Sequence, residues 1–336
     1  MIYAERVSKI SVNRPALKLV KTNNLSRDDW LDIRKNGIGS SDAAAAVGLN
    51  PYQSQLELWL IKTGRDSGLP KIDPKDETSP MYWGTLLEPI VAAHYTKQSG
   101  NRVRRINAVL QHPDADKPWM LANIDREVIG APDVQILECK TAGEFGARLW
   151  RDGVPEYVQL QVQHQLAVTG KASADVCVLI CGQEIRIYRI NRDDALIDRL
   201  ISLERQFWHY VETDTAPPAD GSESAEQALR CLYPSDAGNT VDFSQDVEMS
   251  SVFADLVNLR TDIANREKIE AKLKQRVQQR MGDASYAKFE TGKVSYKKSK
   301  DGQVIDMENL LLDQPDLIQR YFKTKPGARR FLITSH

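Results

Sequence analysis

The stretch of sequence that decides the fold is residues 122–141, ANIDREVIGAPDVQILECKT. Apolar residues within 134–137 lead directly into Glu138, Cys139 and Lys140. Alternate residues of a strand point to the same face of a sheet, so Glu138 and Lys140 project together while Cys139 projects away. Ionisable side chains at the end of a buried strand are unusual unless they have a function. The stretch therefore predicts a buried strand that ends at a functional site.

A carboxylate on the neighbouring strand-like run adds to this site. Asp125 would meet Glu138 there, beside the ammonium group of Lys140. Two carboxylates in one place are difficult to keep ionised without a cation, and Mg²⁺ prefers oxygen ligands. The group therefore indicates metal-assisted hydrolysis of a phosphodiester. The E-x-K spacing alone is a weak signal, because a surface strand with a simple charge pair has the same spacing.

The sequence around this stretch alternates between helical and strand-like patterns. Helix signals come first, then a cluster of strands, a helix, a hairpin and a long helix. This order predicts an α/β or α+β domain with a central mixed sheet flanked by helices. The strand-like runs are 103–110, 119–129, 134–140, 176–181 and 184–190, and the helices after the strand cluster are 156–169 and 193–212.

A segment rich in proline, glycine and serine, TDTAPPADGSES, indicates a linker after the long helix. We place the boundary so that residues 1–218 form the main domain and residues 219–336 form a long helix with a small β region. Residues 266–300 contain eleven Lys or Arg and four Asp or Glu, a local net charge of +7. Such a run is usually a solvated helix face. Here it continues through a tyrosine-containing hairpin, so a DNA-binding arm and an assembly or partner-binding module are equal alternatives.

The composition excludes several classes of protein. The chain has 336 residues, of which 41% are hydrophobic and 27% charged, and this excludes a disordered or fibrous chain. No apolar run approaches the roughly 20 residues that span a bilayer, and no signal-peptide core is present, so we expect a cytoplasmic protein. Four cysteines are too few for a disulfide scaffold. Because the net charge is −1, a nucleic-acid partner requires clustered basic residues.

Several motifs follow one another in order over roughly residues 25–212. They are Trp30-x-x-x-Arg34, Gly37-Ile38-Gly39-Ser40-Ser41-Asp42, Asn50-Pro51-Tyr52, Leu58-Trp59, Lys62-Thr63-Gly64, Gly84-Thr85-x-x-Glu88, Asn123-Ile124-Asp125-Arg126, Glu138-Cys139-Lys140-Thr141, Pro155-Glu156-Tyr157, Gln161-Val162-Gln163-His164-Gln165 and Val168-Thr169-Gly170. Together they resemble the lambda-exonuclease, or YqaJ-type viral recombinase, family of PD-(D/E)XK nucleases. Linked motifs in the family's order are far more specific than any one of them.

The resemblance implies a restriction-endonuclease-like core and a Mg²⁺-dependent 5′→3′ exodeoxyribonuclease. Such an enzyme degrades one strand of double-stranded DNA from its end and leaves a 3′ single strand for recombination by single-strand annealing. The resemblance also implies two Mg²⁺ ions per site, with Mn²⁺ able to substitute. It further implies a homotrimer ring threaded by DNA, a single-strand annealing protein as partner, and a bacterial, prophage or phage origin.

The resemblance also implies the metal ligands. Asp125 and Glu138 would hold the metal ions, with the backbone carbonyl of Cys139 as an extra ligand. Glu88 would support the metal site. Isoleucine stands before Asp125 where the family name has proline, whereas a proline does precede Asp133. Asp133 therefore stays open as an alternative to Asp125, although the residues around Asp125 match better.

Four further residues receive roles from the resemblance. Lys140 would act on the attacking water, and Gln161 would position water or substrate. Arg34 and Ser41 match positions that bind a terminal 5′-phosphate, which suits a cationic fork beside a hydroxyl. We expect most of the other glutamines in residues 155–165 to be exposed to solvent.

Two alternative functions stay open. A structure-specific or endonucleolytic DNA repair nuclease could share the fold, but it has no use for a 5′-phosphate pocket. A non-catalytic module that binds DNA ends is the second alternative, and the intact Asp125, Glu138 and Lys140 argue against it.

Overall fold

The computed structural model describes residues 15–71, 73–321, 323–325 and 327–334. The chain divides into two compact units, Met1–Tyr233 and Pro234–His336, which are described separately. Within the described ranges, no helix combines the length and the apolar character needed to cross a bilayer.

The first unit contains eight strands and seven α-helices among its described residues. The strands are β1 (Leu17–Lys21), β2 (Arg102–Arg104), β3 (Ala108–Gln111), β4 (Leu121–Ala122), β5 (Arg126–Ile129), β6 (Ile136–Ala142), β7 (Ser173–Ile180) and β8 (Glu184–Asn191). The helices are α1 (Arg27–Lys35), α2 (Ala43–Ala46), α3 (Gln55–Lys62), α4 (Pro80–Ser99), α5 (Glu156–Thr169), α6 (Asp194–Glu212) and α7 (Glu223–Leu232).

The central sheet has five strands in the order β2-β5-β6-β7-β8. Strands β6 and β7 are parallel, with Glu138 opposite Val176, and the other pairs are antiparallel. Helix α5 lies between β6 and β7 in the chain and supplies the crossover that a parallel pair needs. A second, antiparallel sheet has the order β1-β3-β4.

Helices cover both faces of the central sheet. Helix α4 packs Val91 and Tyr95 against one face, where Leu137 of β6 is buried. Helices α5 and α6 contribute Val162 and Phe207 to the apolar core on the other face. Because alternate residues of β6 reach opposite layers, Glu138 points toward α5. The predicted mixed sheet flanked by helices is confirmed.

Two strand-like runs predicted as continuous are each divided in the structure. In the first, β2 pairs with β5 of the central sheet, whereas β3 pairs with β1 and β4 of the second sheet. The second run divides into β4 and β5, and residues 123–125 between them belong to neither strand. Alternation of apolar residues records which face is buried but not which strand is the partner. The second break places Asp125 immediately before β5.

The boundary between the units depends on helix α7. Ala225 on its inner face is 1% exposed, and Ser224 Oγ donates a 2.5 Å hydrogen bond to Glu57 Oε2 of α3. These contacts extend the first unit to Tyr233, beyond the boundary predicted before residue 219. The start of a separable C-terminal unit therefore lies later in the structure than the proline-rich segment suggests.

The second unit contains one long helix and a hairpin. Its elements are α8 (Val247–Met281), β9 (Tyr286–Phe289), β10 (Gly292–Ser295), α9 (Met307–Asp313) and α10 (Asp316–Tyr321). Helix α8 begins after Asp246, whose side chain accepts a hydrogen bond from the Met249 backbone N–H, and none of its residues is buried. Strands β9 and β10 form an antiparallel pair.

Candidate active site

Strand β6 places Glu138 and Lys140 on the same face, as the sequence predicts. Lys140 Nζ lies 2.8 Å from Glu138 Oε1, and Glu138 is 2% exposed. Two glutamines of α5 complete the group. Gln161 Nε2 donates to Glu138 Oε1 at 2.6 Å, and Gln165 Nε2 donates to Glu138 Oε2 at 2.8 Å. Gln161 Oε1 also accepts from Lys140 Nζ at 2.8 Å, so this one amide bridges the carboxylate and the ammonium group.

Asp125 joins the group from the position immediately before β5. The backbone N–H of Cys139 donates to Asp125 Oδ2 at 2.8 Å. Burial, together with the nearby Glu138 carboxylate, raises the pKa of Asp125 to about 8, although the Cys139 N–H and Lys140 act in the opposite direction. The ionised pair is thus unfavourable by itself, which is the electrostatic condition that a divalent cation relieves.

Lys140 is cationic in this environment. Burial lowers the pKa of Lys140, but the carboxylates of Glu138 and Asp125 raise it more, and the net effect is a raised pKa. Lys140 therefore acts as a hydrogen-bond donor with a positive charge. The Cys139 side chain packs in the apolar cluster beside α4 on the opposite face, and burial raises the pKa of its thiol. Only the backbone of Cys139 is suited to metal binding.

The donor set fits Mg²⁺ with part of its coordination left to water or substrate. Asp125, Glu138 and the Cys139 carbonyl are hard oxygen donors, which Mg²⁺ prefers. Glu88 faces the same cavity, but its carboxylate forms an ion pair with Arg126. Within the described parts of the chain, no three His, Cys, Asp or Glu side chains are gathered as a metal site. The residues present therefore fit an ion shared between protein and substrate.

A cationic side chain, with a hydroxyl next to it, lies in the same cavity as these carboxylates. Arg34 of α1 donates through Nη2 to Ser41 Oγ and to Asp42 Oδ1, each at 2.6 Å. Its guanidinium lies 4.8 Å from the centre of the Trp30 ring. One cavity of about 380 Å³ is lined by all eight residues to which the resemblance assigns a role. These residues are Arg34, Ser41, Glu88, Asp125, Glu138, Cys139, Lys140 and Gln161.

Asp133 lies away from this cavity. Its carboxylate is 66% exposed and accepts a 2.9 Å hydrogen bond from Arg189 Nη1. Of the two aspartates left open by the sequence, Asp125 is therefore the one in contact with the Glu138 and Lys140 strand.

A buried ion pair behind Arg34 is not evident from the sequence. Lys62 Nζ donates to Asp42 Oδ2 at 2.7 Å and to the backbone carbonyl of Arg34 at 2.8 Å, and its side chain is 2% exposed. Although burial favours the neutral form of Asp42, Arg34 and Lys62 hold its pKa well below the ordinary range. Both residues fall within quoted motifs, but a separation of 20 residues gives no periodic signal for their contact.

Replacement of Asp42 by asparagine is expected to lower the free energy of unfolding by about 3 kcal/mol, because it leaves the buried Lys62 without its counter-charge. Urea denaturation at pH 7 measures this change. The matched control is Asp32→Asn, which removes the exposed pair with Lys35 and should cost less than about 0.5 kcal/mol. Equal effects of the two substitutions would contradict the assignment.

The same pair has a defined pH dependence. The folded-state pKa of Asp42 is depressed, so its contribution to stability is present above the ordinary aspartate value of 3.8 and is lost as the pH falls below that value.

The expected exposure of the α5 glutamines is wrong for two of them. Gln163 is 4% exposed and Gln165 is fully buried, as is His164 between them. His164 Nδ1 lies 2.7 Å from Glu204 Oε1, and its Nε2 lies 2.9 Å from the Leu121 carbonyl oxygen. Burial lowers the pKa of His164, but Glu204 raises it by more. Helix α5 has neighbours on several sides, so its polar side chains find internal partners in place of water.

The mixed sheet, with Asp125, Glu138 and Lys140 gathered at β6, is the arrangement that the resemblance to PD-(D/E)XK nucleases predicts. The model of the YqaJ-like viral recombinase domain matches residues 29–172. The chain is 34% identical over 323 residues to the protein YqaJ of Bacillus subtilis (strain 168), covering 94% of this chain and 96% of that protein. The chain belongs to the YqaJ-like viral recombinase family.

Solved structures give more distant similarities. An alkaline exonuclease from Laribacter hongkongensis is 24% identical, with a TM-score of 0.45, over 56% of this chain and 93% of that chain. A phage-related exonuclease from Haemophilus somnus 129PT is 11% identical, with a TM-score of 0.38, over 53% of this chain and 96% of that chain. Both alignments span little more than half of the present chain.

Proposed function

We propose that this protein is a Mg²⁺-dependent 5′→3′ exodeoxyribonuclease that degrades one strand of double-stranded DNA and leaves a 3′ single strand. The observation that carries the proposal is the single cavity in which Asp125, Glu138 and Lys140 lie beside Arg34 and Ser41. A hydrolytic group next to an anion-binding pair suits a substrate whose terminal phosphate is held close to the scissile bond. Membership of a viral recombinase family supports DNA as the substrate.

In this proposal the residues divide the chemistry between them. Asp125 and Glu138, with the Cys139 carbonyl, would hold two Mg²⁺ ions. Bound there, Mg²⁺ stabilises charge on the scissile phosphate and lowers the pKa of water. Lys140, cationic beside Glu138, orients the attacking water and stabilises developing negative charge. Gln161 holds the Glu138 carboxylate and the Lys140 ammonium group in their relative positions through its bridging amide.

Glu88 acts in this proposal through its neighbours. Arg126 fixes the Glu88 carboxylate at the wall of the cavity through an ion pair. The negative charge of this carboxylate contributes to the raised pKa of Asp125. Glu88 therefore strengthens the attraction of the site for a cation without being a necessary ligand.

The proposal extends to assembly and to the product. A homotrimer ring around DNA, a single-strand annealing protein that receives the 3′ strand, and action in the cytoplasm of a bacterial cell are its remaining elements. The family membership is their support, and Mn²⁺ is expected to substitute for Mg²⁺.

Digestion of linear and covalently closed circular duplex DNA tests the reaction class. With Mg²⁺, the protein should release nucleotides from linear duplex, while the circle stays intact because it has no end. Chelation by EDTA should abolish the release, since Asp125 and Glu138 then lack the cation. Nicking of the circle would favour an endonuclease, and DNA binding without cleavage of either substrate would favour an end-binding module.

A further inference from the structure

The β9–β10 hairpin has one strongly basic face. The ladder places Lys288 opposite Lys293 and Tyr286 opposite Ser295. Lys297 follows Ser295 by two residues and shares its face, and its Nζ lies 4.2 Å from the centre of the Tyr286 ring. Three lysines, a serine and a tyrosine thus form one surface, which we term the lysine–tyrosine face.

The two faces of the hairpin differ in burial. Ala287 and Val294 alternate with the lysines, point away from that face and are half-buried. Ala287 lines a cavity together with Leu273 and Val277 of α8, and Tyr286 and Lys288 line the same cavity. The turn between the strands carries Glu290, and no acidic residue lies on the lysine–tyrosine face itself. Lys288, Lys293 and Lys297 are all exposed, so the basic face is accessible to a ligand from solvent.

The close approach of Lys288 and Lys293 is electrostatically unfavourable unless an anion binds beside them. Like charges directly opposite each other on antiparallel strands destabilise the pair. Among the described residues, neither Lys288 nor Lys293 has an ion-pair partner. The surrounding residues 266–300 have a net charge of +7, in a chain whose total is −1. This concentration of positive charge favours a polyanion as ligand.

The tyrosine narrows the class of polyanion. The Tyr286 side chain is 58% exposed although Lys297 lies over its ring. An exposed ring beside lysines is suited to stacking with a nucleic-acid base. Bases inside a duplex are already stacked on one another, so such stacking requires a single strand.

We propose that the lysine–tyrosine face binds single-stranded DNA. Lys288 and Lys293 contact neighbouring phosphates of one strand, Lys297 adds positive charge, and a base stacks on Tyr286. The choice of DNA over RNA rests on the proposed nuclease function, whose product is a 3′ single strand. The binding itself depends only on the hairpin and its charge.

Fluorescence anisotropy of the full-length protein in EDTA tests this proposal without cleavage. A labelled 30-nucleotide oligo(dT) and a duplex of equal length are compared at several salt concentrations. The double variant Lys288→Ala/Lys293→Ala should reduce the salt slope for the single strand by about 1.4, because each lost phosphate contact removes about 0.7. Tyr286→Ala should weaken single-strand binding about tenfold.

The matched control is Lys323→Ala/Lys325→Ala, which makes the same charge change at exposed positions of the same unit and should leave the slope unchanged. The midpoint of urea unfolding should be equal or higher in the hairpin double variant, since it removes the like-charge contact. Unchanged single-strand binding in both hairpin variants would overturn the proposal. Equal losses on single strand and duplex would also overturn it, in favour of duplex binding.

The nuclease proposal is tested separately by Mg²⁺-dependent digestion of linear duplex. If wild-type protein binds oligo(dT) through the hairpin but does not digest DNA, the nuclease proposal fails and the hairpin proposal stands. If digestion occurs while the hairpin variants bind oligo(dT) like wild type, only the hairpin proposal fails.

Discussion

Replacement of Lys140 by alanine is expected to slow Mg²⁺-dependent digestion of duplex DNA by about 10²- to 10³-fold, the range for loss of one donor that stabilises charge in the transition state. Lys140 is the cation that contacts both Glu138 and Gln161 within the cavity. The substitution leaves Glu138 with hydrogen bonds from Gln161 and Gln165, so the carboxylate keeps partners and the fold is retained. Single-turnover digestion of end-labelled duplex measures the rate.

DNA binding provides the necessary comparison for this variant. Affinity for duplex in EDTA should change by less than a few-fold, because one lysine supplies little of the contact surface. Lys97→Ala on the exposed side of α4 is the matched control and should digest DNA like wild type. Digestion by Lys140→Ala at the wild-type rate would remove Lys140 from the active site.

Duplex with a 5′-phosphate is expected to be digested about tenfold or more faster than duplex with a 5′-hydroxyl. The reason is the pair of Arg34 and Ser41 in the same cavity as the carboxylates. Arginine offers two parallel N–H donors to a phosphate, and a charge-assisted bond of this kind contributes more than a neutral one. Initial rates on the two substrates give the ratio.

Arg34→Ala should reduce this ratio toward one. Because Arg34 also pairs with Asp42, Arg34→Lys is a useful second variant, since it keeps a positive charge but loses the parallel donors. Arg34→Lys should reduce the ratio of the rates on the two substrates while lowering the stability of the fold less than Arg34→Ala does. Arg199→Ala, an exposed position on α6, should keep the full preference. Equal wild-type rates on both ends would argue against a 5′-phosphate pocket.

The parts of this molecule that the sequence predicts well are local. Serine is a preferred residue at the start of a helix, and α1 and α3 begin directly after Ser26 and Ser54, whose hydroxyls accept backbone hydrogen bonds at 3.1 Å. Helices α4 and α5 end directly before Gly100 and Gly170, and both glycines have the positive φ that favours glycine at this position. The shared face of Glu138 and Lys140 follows from strand periodicity alone. Each of these features depends on residues within one turn of helix or two positions of strand.

The features that sequence reasoning missed depend on distant partners. Gln165 is buried and donates a hydrogen bond to Glu138, which lies 27 residues away in the sequence. The ion pair of Asp42 and Lys62 joins residues 20 positions apart. The sequence pattern shows which residues are polar, but it does not show whether another helix or strand covers them. The division of residues 103–110 between two sheets has the same origin, since an alternating pattern is compatible with either set of partners.

The crossover position of α5 has a consequence for folding kinetics. Gln161 and Gln165 lie on the segment that connects β6 to β7 and allows these strands to pair in parallel. The two glutamines that donate to Glu138 therefore reach their positions when β6 and β7 pair, and such non-local pairing is a slow step in folding. We therefore expect recovery of the site's chemistry during refolding to accompany the closing of the sheet and not to precede it.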